Sequence, residues 1–172
     1  APGTRVSAGG TGGLQGKDRP GPGEGAGRQV KAYPTAENWR SALVIYRDGA
    51  KVEGQQLLDL MRLMRLTKSL AGERDYYEYA ALANERALPG EAKSTIEEGF
   101  ATGTVNKSSR AVSEMLTMAT GKIAADRASI ATGEKQANAA GATGKPAAGV
   151  GDAYLGYGED AKAIPYYKLA LK

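Results

Sequence analysis

The sequence predicts an all-α protein built from antiparallel helix pairs, with an irregular glycine-rich segment at its N-terminus. Three observations lead to this prediction. Apolar residues recur at a spacing of three and four from about residue 35 onward, which is the period of an α-helix. No stretch of useful length alternates apolar and polar residues as a half-buried strand does. The chain contains 24 glycines, and ten of them lie in the first 27 residues.

Residues 1–28 form the first predicted unit, a flexible or irregular segment rich in glycine and proline. Its sizeable apolar side chains are only Val6 and Leu14, too few to offset the entropy lost on ordering so much glycine. The alternative is an irregular segment that lies over a partner's surface. It does not match a nucleotide-binding loop, because Gln15 stands where the G-x-G-x-x-G pattern needs its last glycine. Residues 29–172 form the second unit, the helical domain.

Two helices are predicted between residues 35 and 70. The first begins at the cap Thr35 and stops at Asp48-Gly49. Its predicted apolar face carries Trp39, Leu43 and Tyr46. The second runs from about Val52 to Leu70, and its apolar residues cover more than one stripe. This pattern is typical of a helix that is buried on two sides, as in a layered helical array.

Basic residues recur at helical spacing along the second helix. They are Arg62, Arg65 and Lys68. We interpret them as a solvated helix face, and the alternative is an anion-binding face. The formal net charge is +4, but the charges are scattered and form no basic run. The sequence therefore does not predict nucleic-acid binding.

Two more helices follow before residue 103. Asp75 can cap a helix that continues through Arg86. Leu88-Pro89-Gly90 then makes a turn into a helix from Glu91 to about Phe100. Ala101-Thr102-Gly103 closes that helix.

The segment between Lys107 and Ala140 is also helical by its apolar spacing. It predicts one long helix, or two shorter helices that meet near Gly121 or Gly133. The following residues 141–149 are interpreted as a loop or a frayed helix start.

Composition excludes several kinds of chemistry. The chain contains neither Cys nor His, so it cannot by itself build a disulfide, a thiol nucleophile, a typical zinc site or a Ser-His-Asp triad. Its carboxylates lie among Lys and Arg on predicted helix surfaces or at helix starts, where we expect surface charge. No apolar run reaches the roughly 18 residues expected of a membrane span. We therefore predict a protein with no enzymatic activity, cofactor or metal.

Two segments of the chain repeat one spacing of small and large residues. The first copy is Tyr76-x2-Tyr79-Ala80-x2-Ala83, followed by Ala92-x3-Ile96 and Gly99. The second copy is Ala147-x2-Val150-Gly151-x2-Tyr154, followed by Ala163-x3-Tyr167 and Ala170. Small side chains at these positions allow two antiparallel helices to cross closely, while large ones fill the groove beside the crossing.

The second copy resembles the tetratricopeptide repeat (TPR) family. The matching residues are Val150-Gly151, Tyr154, Gly158, Ala163, Tyr167 and Ala170. Ala92 and Ala163 are 71 residues apart, about twice the repeat length of roughly 34, which leaves room for one divergent helical pair between the copies. The resemblance implies an α-solenoid whose concave groove, lined by the first helix of each pair, binds a partner. The partner-binding residues that it implies are Arg74, Tyr77 and Asn84 in one repeat and Lys145, Asp152 and Leu155 in the other.

The overall order also looks like the C-terminal part of envelope-associated TPR proteins of bacteria, on two segments: Tyr33-Pro34-Thr35-Ala36-Glu37-Asn38-Trp39, followed by Leu88-Pro89-Gly90-Glu91-Ala92-Lys93. These resemblances imply a non-enzymatic protein–protein interaction module, a scaffold or accessory subunit of a larger assembly. They imply a location in the bacterial cell envelope or periplasm, or otherwise in the cytoplasm. The alternative is a self-assembling structural subunit, since open-ended repeat arrays can stack head to tail. The expected partner is another protein or further copies of this chain, with no nucleic acid and no membrane span.

Overall fold

The computed structural model describes residues 22–139 and 141–172, and these residues form eight α-helices and no β-strand. The helices are α1 (Pro22–Ala32), α2 (Ala36–Ala50), α3 (Gly54–Leu66), α4 (Gly72–Glu85), α5 (Pro89–Ala101), α6 (Arg110–Ala137), α7 (Gly144–Gly156) and α8 (Asp160–Ala170). The all-α prediction is therefore confirmed. No helix in the described part of the chain has both the length and the apolar character needed to cross a membrane.

Helix α1 departs from the predicted irregular segment, because residues 22–28 are helical and the predicted boundary at residue 28 falls inside the helix. Its buried side chains are Ala26 and Val30, and the helix packs against α2. Packing therefore overrides the weak helix propensity of its three glycines. Residues 1–21, including the sequence compared with a nucleotide-binding loop, lie outside the described residues.

Helix α2 begins as predicted, with the Thr35 hydroxyl oxygen accepting from the Asn38 backbone N–H at 3.2 Å. The predicted apolar face is correct for Trp39 and Leu43, which contact the core, but wrong for Tyr46, which is 57% exposed. Helix α3 is shorter than predicted. It ends at Leu66 because the backbone turns into the left-handed region at Lys68, where φ is +56°.

Helix α4 begins three residues before the predicted cap. The Asp75 carboxylate lies inside the first turn and accepts from the Ala71 backbone N–H at 2.8 Å. Arg40 Nη1 donates to the same carboxylate oxygen at 2.5 Å. Asp75 is only 6% exposed, so the prediction that it is surface charge is wrong. Helix α5 begins at Pro89. Proline has no backbone N–H, but a residue in the first helical turn has no intrahelical acceptor for one, so no hydrogen bond is lost.

A single helix fills the interval between the two repeat copies. Helix α6 has 28 residues and is about 42 Å long at 1.5 Å per residue. The expectation of room for a divergent helical pair is therefore wrong, and of the two alternatives for this segment the one long helix is correct. Of the following residues 141–149, the first three are not helical and α7 begins at Gly144, so the alternative of a helix start is correct.

The repeated spacing marks two antiparallel helix pairs, α4 with α5 and α7 with α8. In the first pair, a Cβ on Gly99 near the end of α5 would lie 3.0 Å from the ring of Tyr76 near the start of α4. In the second pair, a Cβ on Gly151 would lie 2.8 Å from the ring of Tyr167. The predicted role of small residues at the helix crossings is confirmed.

The apolar core has two separate parts. The larger part joins α2 to the first half of α6 and includes Leu58, Met61, Tyr79, Ile96 and Val112. The smaller part joins the second half of α6 to α7 and α8 and includes Ile130, Ala137, Ala147 and Val150. The long helix α6 contributes to both, so it connects the two halves of the domain.

Candidate functional site

The Arg62 guanidinium of α3 binds carboxylates from two other helices. Its Nε and Nη2 donate to the two oxygens of Glu91 on α5, at 2.8 and 2.7 Å. Its Nη1 donates to Asp152 Oδ1 on α7 at 3.0 Å and to Asp59 Oδ1 at 2.9 Å. The contact with Glu91 is bidentate, the stronger and more directional form of an arginine–carboxylate pair. Arg62 therefore joins α3, α5 and α7 at one point.

Tyrosine hydroxyls extend this arrangement to α4 and α8. Tyr79 donates its hydroxyl to Glu91 Oε1 at 2.6 Å, and Tyr167 donates to Asp152 Oδ1 at 2.9 Å. We call Arg62, Tyr79, Glu91, Asp152 and Tyr167 the central network. Within the described residues, every buried side-chain nitrogen or oxygen atom has a hydrogen-bond partner. The central network is therefore internally satisfied and connects five helices.

Charge and burial fix the protonation of the central network. Burial, together with the Glu91 carboxylate, raises the pKa of Tyr79 well above its ordinary value. Burial and the Asp152 carboxylate do the same to the pKa of Tyr167. Burial alone would lower the pKa of Arg62, but the hydrogen bonds and charges of Glu91 and Asp152 outweigh it and raise that pKa. The tyrosines stay neutral and the arginine stays charged at any physiological pH.

A cleft of about 650 Å³ opens above the central network, between α3, α5 and the end of α7. We call it the Leu66 cleft. Its apolar lining comes from Leu63, Leu66 and Leu155, and its floor contains Arg62, Tyr79 and Glu91. Leu66 is 79% exposed. The cleft thus presents an exposed apolar side chain beside a polar floor whose buried side-chain nitrogen and oxygen atoms all have hydrogen-bond partners.

An ion pair lies at the edge of the Leu66 cleft. Arg65 Nε donates to Glu98 Oε2 at 2.7 Å, and Lys68 Nζ donates to Glu98 Oε1 at 3.3 Å. Burial alone would raise the pKa of Glu98, but the hydrogen bond from Arg65 and the two positive charges lower it. The Glu98 carboxylate therefore remains ionised and holds both cations near the cleft.

Glycines allow α7 to approach α5 at this position. A Cβ on Gly90 would overlap the ring of Tyr157, and a Cβ on Gly156 would lie 3.1 Å from Glu91 Cβ. Tyr157 is itself fixed, because its hydroxyl donates to Asp126 Oδ2 at 2.5 Å and the Arg127 guanidinium lies 3.7 Å from its ring centroid. Gly156 and Tyr157 line the Leu66 cleft, so the close contact of α5 and α7 forms part of its wall.

A second cleft, of about 660 Å³, lies between the α4–α5 turn, α6 and α7. We call it the Lys145 cleft. Its lining includes Arg86, Leu88, Ile130, Lys145 and Asp152. Because Asp152 lines this cleft and its partner Arg62 lines the other, their ion pair forms part of the wall between the two clefts.

Tyrosines also attach the α7–α8 pair to α6. Tyr154 and Tyr166 are stacked with ring centroids 5.9 Å apart, and each donates its hydroxyl to Glu134 Oε1 at 2.8 Å. These two hydrogen bonds lower the pKa of Glu134. The orientation of α7, which carries residues of both clefts, is therefore fixed from two sides.

The six residues implied as partner-binding do not form one groove. Arg74 and Tyr77 are exposed on α4 and line neither cleft, whereas Asn84 faces α6 and accepts from Lys122 Nζ at 2.8 Å. The remaining three lie at the clefts: Lys145 and Asp152 at the Lys145 cleft, Leu155 at the Leu66 cleft. Asp152 is occupied by Arg62 and Tyr167.

The sequence analysis did not predict the central network. The interpretation of the basic residues as a solvated face is wrong for Arg62 and Arg65, whose side chains are 15% and 26% exposed, and correct for Lys68, at 76%. Glu91 lies in the first turn of α5, close to the predicted helix start, but it is only 3% exposed, which the sequence analysis did not predict. A usable signal was present, since a charged residue on a helix buried on two sides needs a partner of opposite charge.

Comparisons with protein-family models, with curated proteins and with solved structures give no match for this chain. Within residues 22–139 and 141–172, no three acidic side chains converge as a group that could hold a metal ion. The two clefts and the central network are therefore the features from which a function can be inferred.

Proposed function

We propose that this protein is a protein-binding module whose Leu66 cleft receives an apolar side chain of a partner protein. The observation that supports the proposal most is Leu66 itself. It is 79% exposed, and it stands beside Leu63 and Leu155 in a concave surface of about 650 Å³. Covering such a leucine contributes about 1.5–3 kcal/mol to association.

The surroundings of the cleft favour a binding role because hydrogen bonds between helices hold its lining in place. The central network ties α3, α5 and α7 together directly beneath the apolar lining. A pre-organised surface loses less conformational entropy on binding than a mobile one. The polar floor is already satisfied, so an apolar anchor can enter without leaving a buried polar group unpaired.

The proposal includes a TPR-like α-solenoid that serves as a scaffold or accessory subunit in the bacterial envelope or periplasm. The TPR-like arrangement is supported by the repeated spacing in the two helix pairs and by the small residues at both crossings, Ala80 with Ala92 and Gly151 with Ala163, all of them buried. The partner is another protein.

Site-specific photo-crosslinking tests the proposal. A benzophenone amino acid is placed at Leu66 in the producing cells, and a matched probe is placed at the exposed Lys107, which lines neither cleft. We expect one discrete adduct from the Leu66 position and none from the Lys107 position. Leu155→Asp in the Leu66 probe protein is expected to abolish the adduct. An adduct that forms equally from both positions contradicts the proposal.

A self-assembling structural subunit is the second candidate. The observation that favours it is the apolar exposed surface of the last helix region, where Ile164 is 51% and Leu171 is 89% exposed. Light scattering of the purified chain over a concentration series distinguishes the two functions. A mass that rises with concentration supports self-assembly, whereas a constant monomer mass supports binding of a different protein.

A further inference from the structure

The last helices of the chain form a separately packed unit. We call α7, α8 and residues 126–137 of α6 the C-terminal unit. Its core, the smaller of the two, shares no residue with the larger core. Glu134 of α6 accepts from two tyrosines of the α7–α8 pair, at 2.8 Å each. Arg127 of α6 donates through Nη1 to Glu159 Oε1, at the start of α8, at 2.5 Å. The C-terminal unit is therefore held together by its own contacts.

The contact between the C-terminal unit and the preceding helices is narrow. Among the side-chain hydrogen bonds and ion pairs of the described residues, only the Arg62–Asp152 pair joins the unit to any of α1–α5. Helix α5 also packs against α7, with the ring of Tyr157 against Gly90. The Leu66 cleft and the Lys145 cleft flank this contact, and residues of both parts line each of them. Parts of a protein that share a small and polar contact can move relative to each other.

The Arg62–Asp152 ion pair can open without leaving either side chain unpaired. Arg62 keeps its bidentate contact with Glu91 and its contact with Asp59. Asp152 keeps the hydroxyl donor of Tyr167, which lies on α8 within the same unit. The Asp152 side chain is 23% exposed, so water can solvate the carboxylate that Arg62 leaves. The pair therefore costs less to open than the contact of Arg62 with Glu91, whose side chain is 4% exposed.

The middle of α6 connects the two parts through exposed helix. Ala119 is the last buried residue of α6 in the larger core, and Ile130 is the first in the smaller core. None of residues 120–129 is buried. Gly121 lies in this stretch, with nothing within 4 Å of the position that a Cβ would occupy. Because glycine leaves helical dihedral angles at little steric cost, the backbone can bend there.

We propose that the C-terminal unit moves as one body about the middle of α6, and that the Arg62–Asp152 ion pair is the latch that holds it against α3 and α5. Each cleft has one wall on this unit, since Leu155 lines the Leu66 cleft and Lys145 lines the other. Opening of the latch therefore widens both clefts together. A ligand that touches both walls of either cleft binds the closed form better and shifts the population towards it. The movement itself does not depend on either cleft being occupied.

Double electron–electron resonance between two spin labels tests this proposal on the full chain. The chain has no cysteine, so labels attach only where one is introduced. Asp48→Cys on α2 and Lys168→Cys on α8 place labels at exposed positions in the two parts. In Asp152→Asn, which keeps an oxygen for Tyr167, we expect the ratio of open to closed form to rise about fivefold, the effect of a partly exposed ion pair on an equilibrium. Asp152→Lys, which sets a cation against Arg62, should raise it further.

Matched variants keep the test specific. Asp59→Asn and Asp59→Lys make the same changes at the other carboxylate that binds Arg62 Nη1, which lies on α3 itself, so the distances should stay unchanged. A reference pair of labels at Asp48→Cys and Arg110→Cys, both outside the C-terminal unit, should not respond to any variant. Amide hydrogen exchange in α7 and α8 of Asp152→Asn should remain as slow as in the unaltered chain, because a body that moves as one keeps its helical hydrogen bonds.

Two results would overturn the proposal. One is a distance distribution that stays unchanged in Asp152→Lys, or that changes equally in Asp59→Lys. The other is faster amide exchange throughout α7 and α8 in Asp152→Asn, since that would show local unfolding of the C-terminal unit rather than its movement as one body.

Discussion

Removing the Arg62 side chain is the most informative perturbation of the central network. In Arg62→Met the Glu91 carboxylate, with 4% of its side chain exposed, keeps only the Tyr79 hydroxyl as a donor. Breaking a buried ion pair from one side destabilises a protein by about 3–5 kcal/mol, because the remaining charge is buried without compensation. The Arg62 side chain is 15% exposed. Water can therefore reach the site in part, and we expect the lower end, about 3 kcal/mol.

Urea unfolding measures this loss with two probes. Circular dichroism at 222 nm reports the helices, and the fluorescence of Trp39, the single tryptophan, reports the larger core that it packs against. Coincident transitions establish two-state unfolding and a usable free energy. Arg110→Met is the matched control, because the Arg110 side chain is 91% exposed and pairs only with Glu114. Its expected effect is below about 0.5 kcal/mol.

A double-mutant cycle separates the ion pair from the lost packing of the arginine stem. In Arg62→Met with Glu91→Gln the uncompensated charge is absent, so the double variant should be more stable than the sum of the single effects predicts, by about 2 kcal/mol. A loss below about 1 kcal/mol in Arg62→Met, or additive single effects, would refute the reasoning.

Three other predictions concern the same contacts. Gly90→Ala forces a methyl group into the ring of the fixed Tyr157 and should lower the free energy of unfolding by about 1–3 kcal/mol. Gly121→Ala, with nothing within 4 Å of the added carbon, should raise that free energy by about 0.5–1 kcal/mol, and urea midpoints of the two variants that move in the same direction contradict this. Glu98 and Glu134 have folded pKa values below the ordinary 4.5, so their stabilisation is present above that pH and is lost as pH falls through the folded values. The urea midpoint should therefore fall between pH 6 and pH 3, and by less in Glu98→Gln. Five tyrosines have raised pKa values and should ionise, by absorbance at 295 nm, only above pH 10 or on unfolding: Tyr79, Tyr154, Tyr157, Tyr166 and Tyr167. Titration of all five at the ordinary pH of about 10 contradicts their contacts.

Local sequence signals predicted the helices and the two crossings. The Thr35 cap depends on residues three apart, and the repeated spacing depends on residues within one helix pair, so both are visible in the sequence. The predicted start of α4 was misplaced because an aspartate can accept a hydrogen bond from a backbone N–H in two positions. It can do so at the cap, or from inside the first turn, as Asp75 does with the N–H of Ala71. Helix α1 was missed because its stability depends on packing against α2, which composition does not encode.

The candidate site was largely beyond sequence reasoning because it joins residues that are distant in the chain. Arg62 is 29 residues from Glu91 and 90 residues from Asp152. Helical periodicity gives the face on which each residue lies but not which face of another helix meets it. The exposure of Leu66 follows from the early end of α3, which is itself set by the left-handed backbone at Lys68. The resemblance implied one concave groove, whereas the structure places Lys145 and Asp152 at one cleft and Leu155 at the other.

The most direct test of the Leu66 cleft is the affinity of the purified chain for the crosslinked partner, measured by isothermal titration calorimetry. Leu66→Asp and Leu155→Asp are each predicted to weaken binding about a hundredfold, since each removes an apolar contact and places a charge against the anchor, about 3 kcal/mol in total. Ile164→Asp makes the same change on α8, at a residue that is 51% exposed, and should leave the affinity unchanged. Unchanged affinity in Leu66→Asp, or an equal loss in Ile164→Asp, would contradict the proposed function.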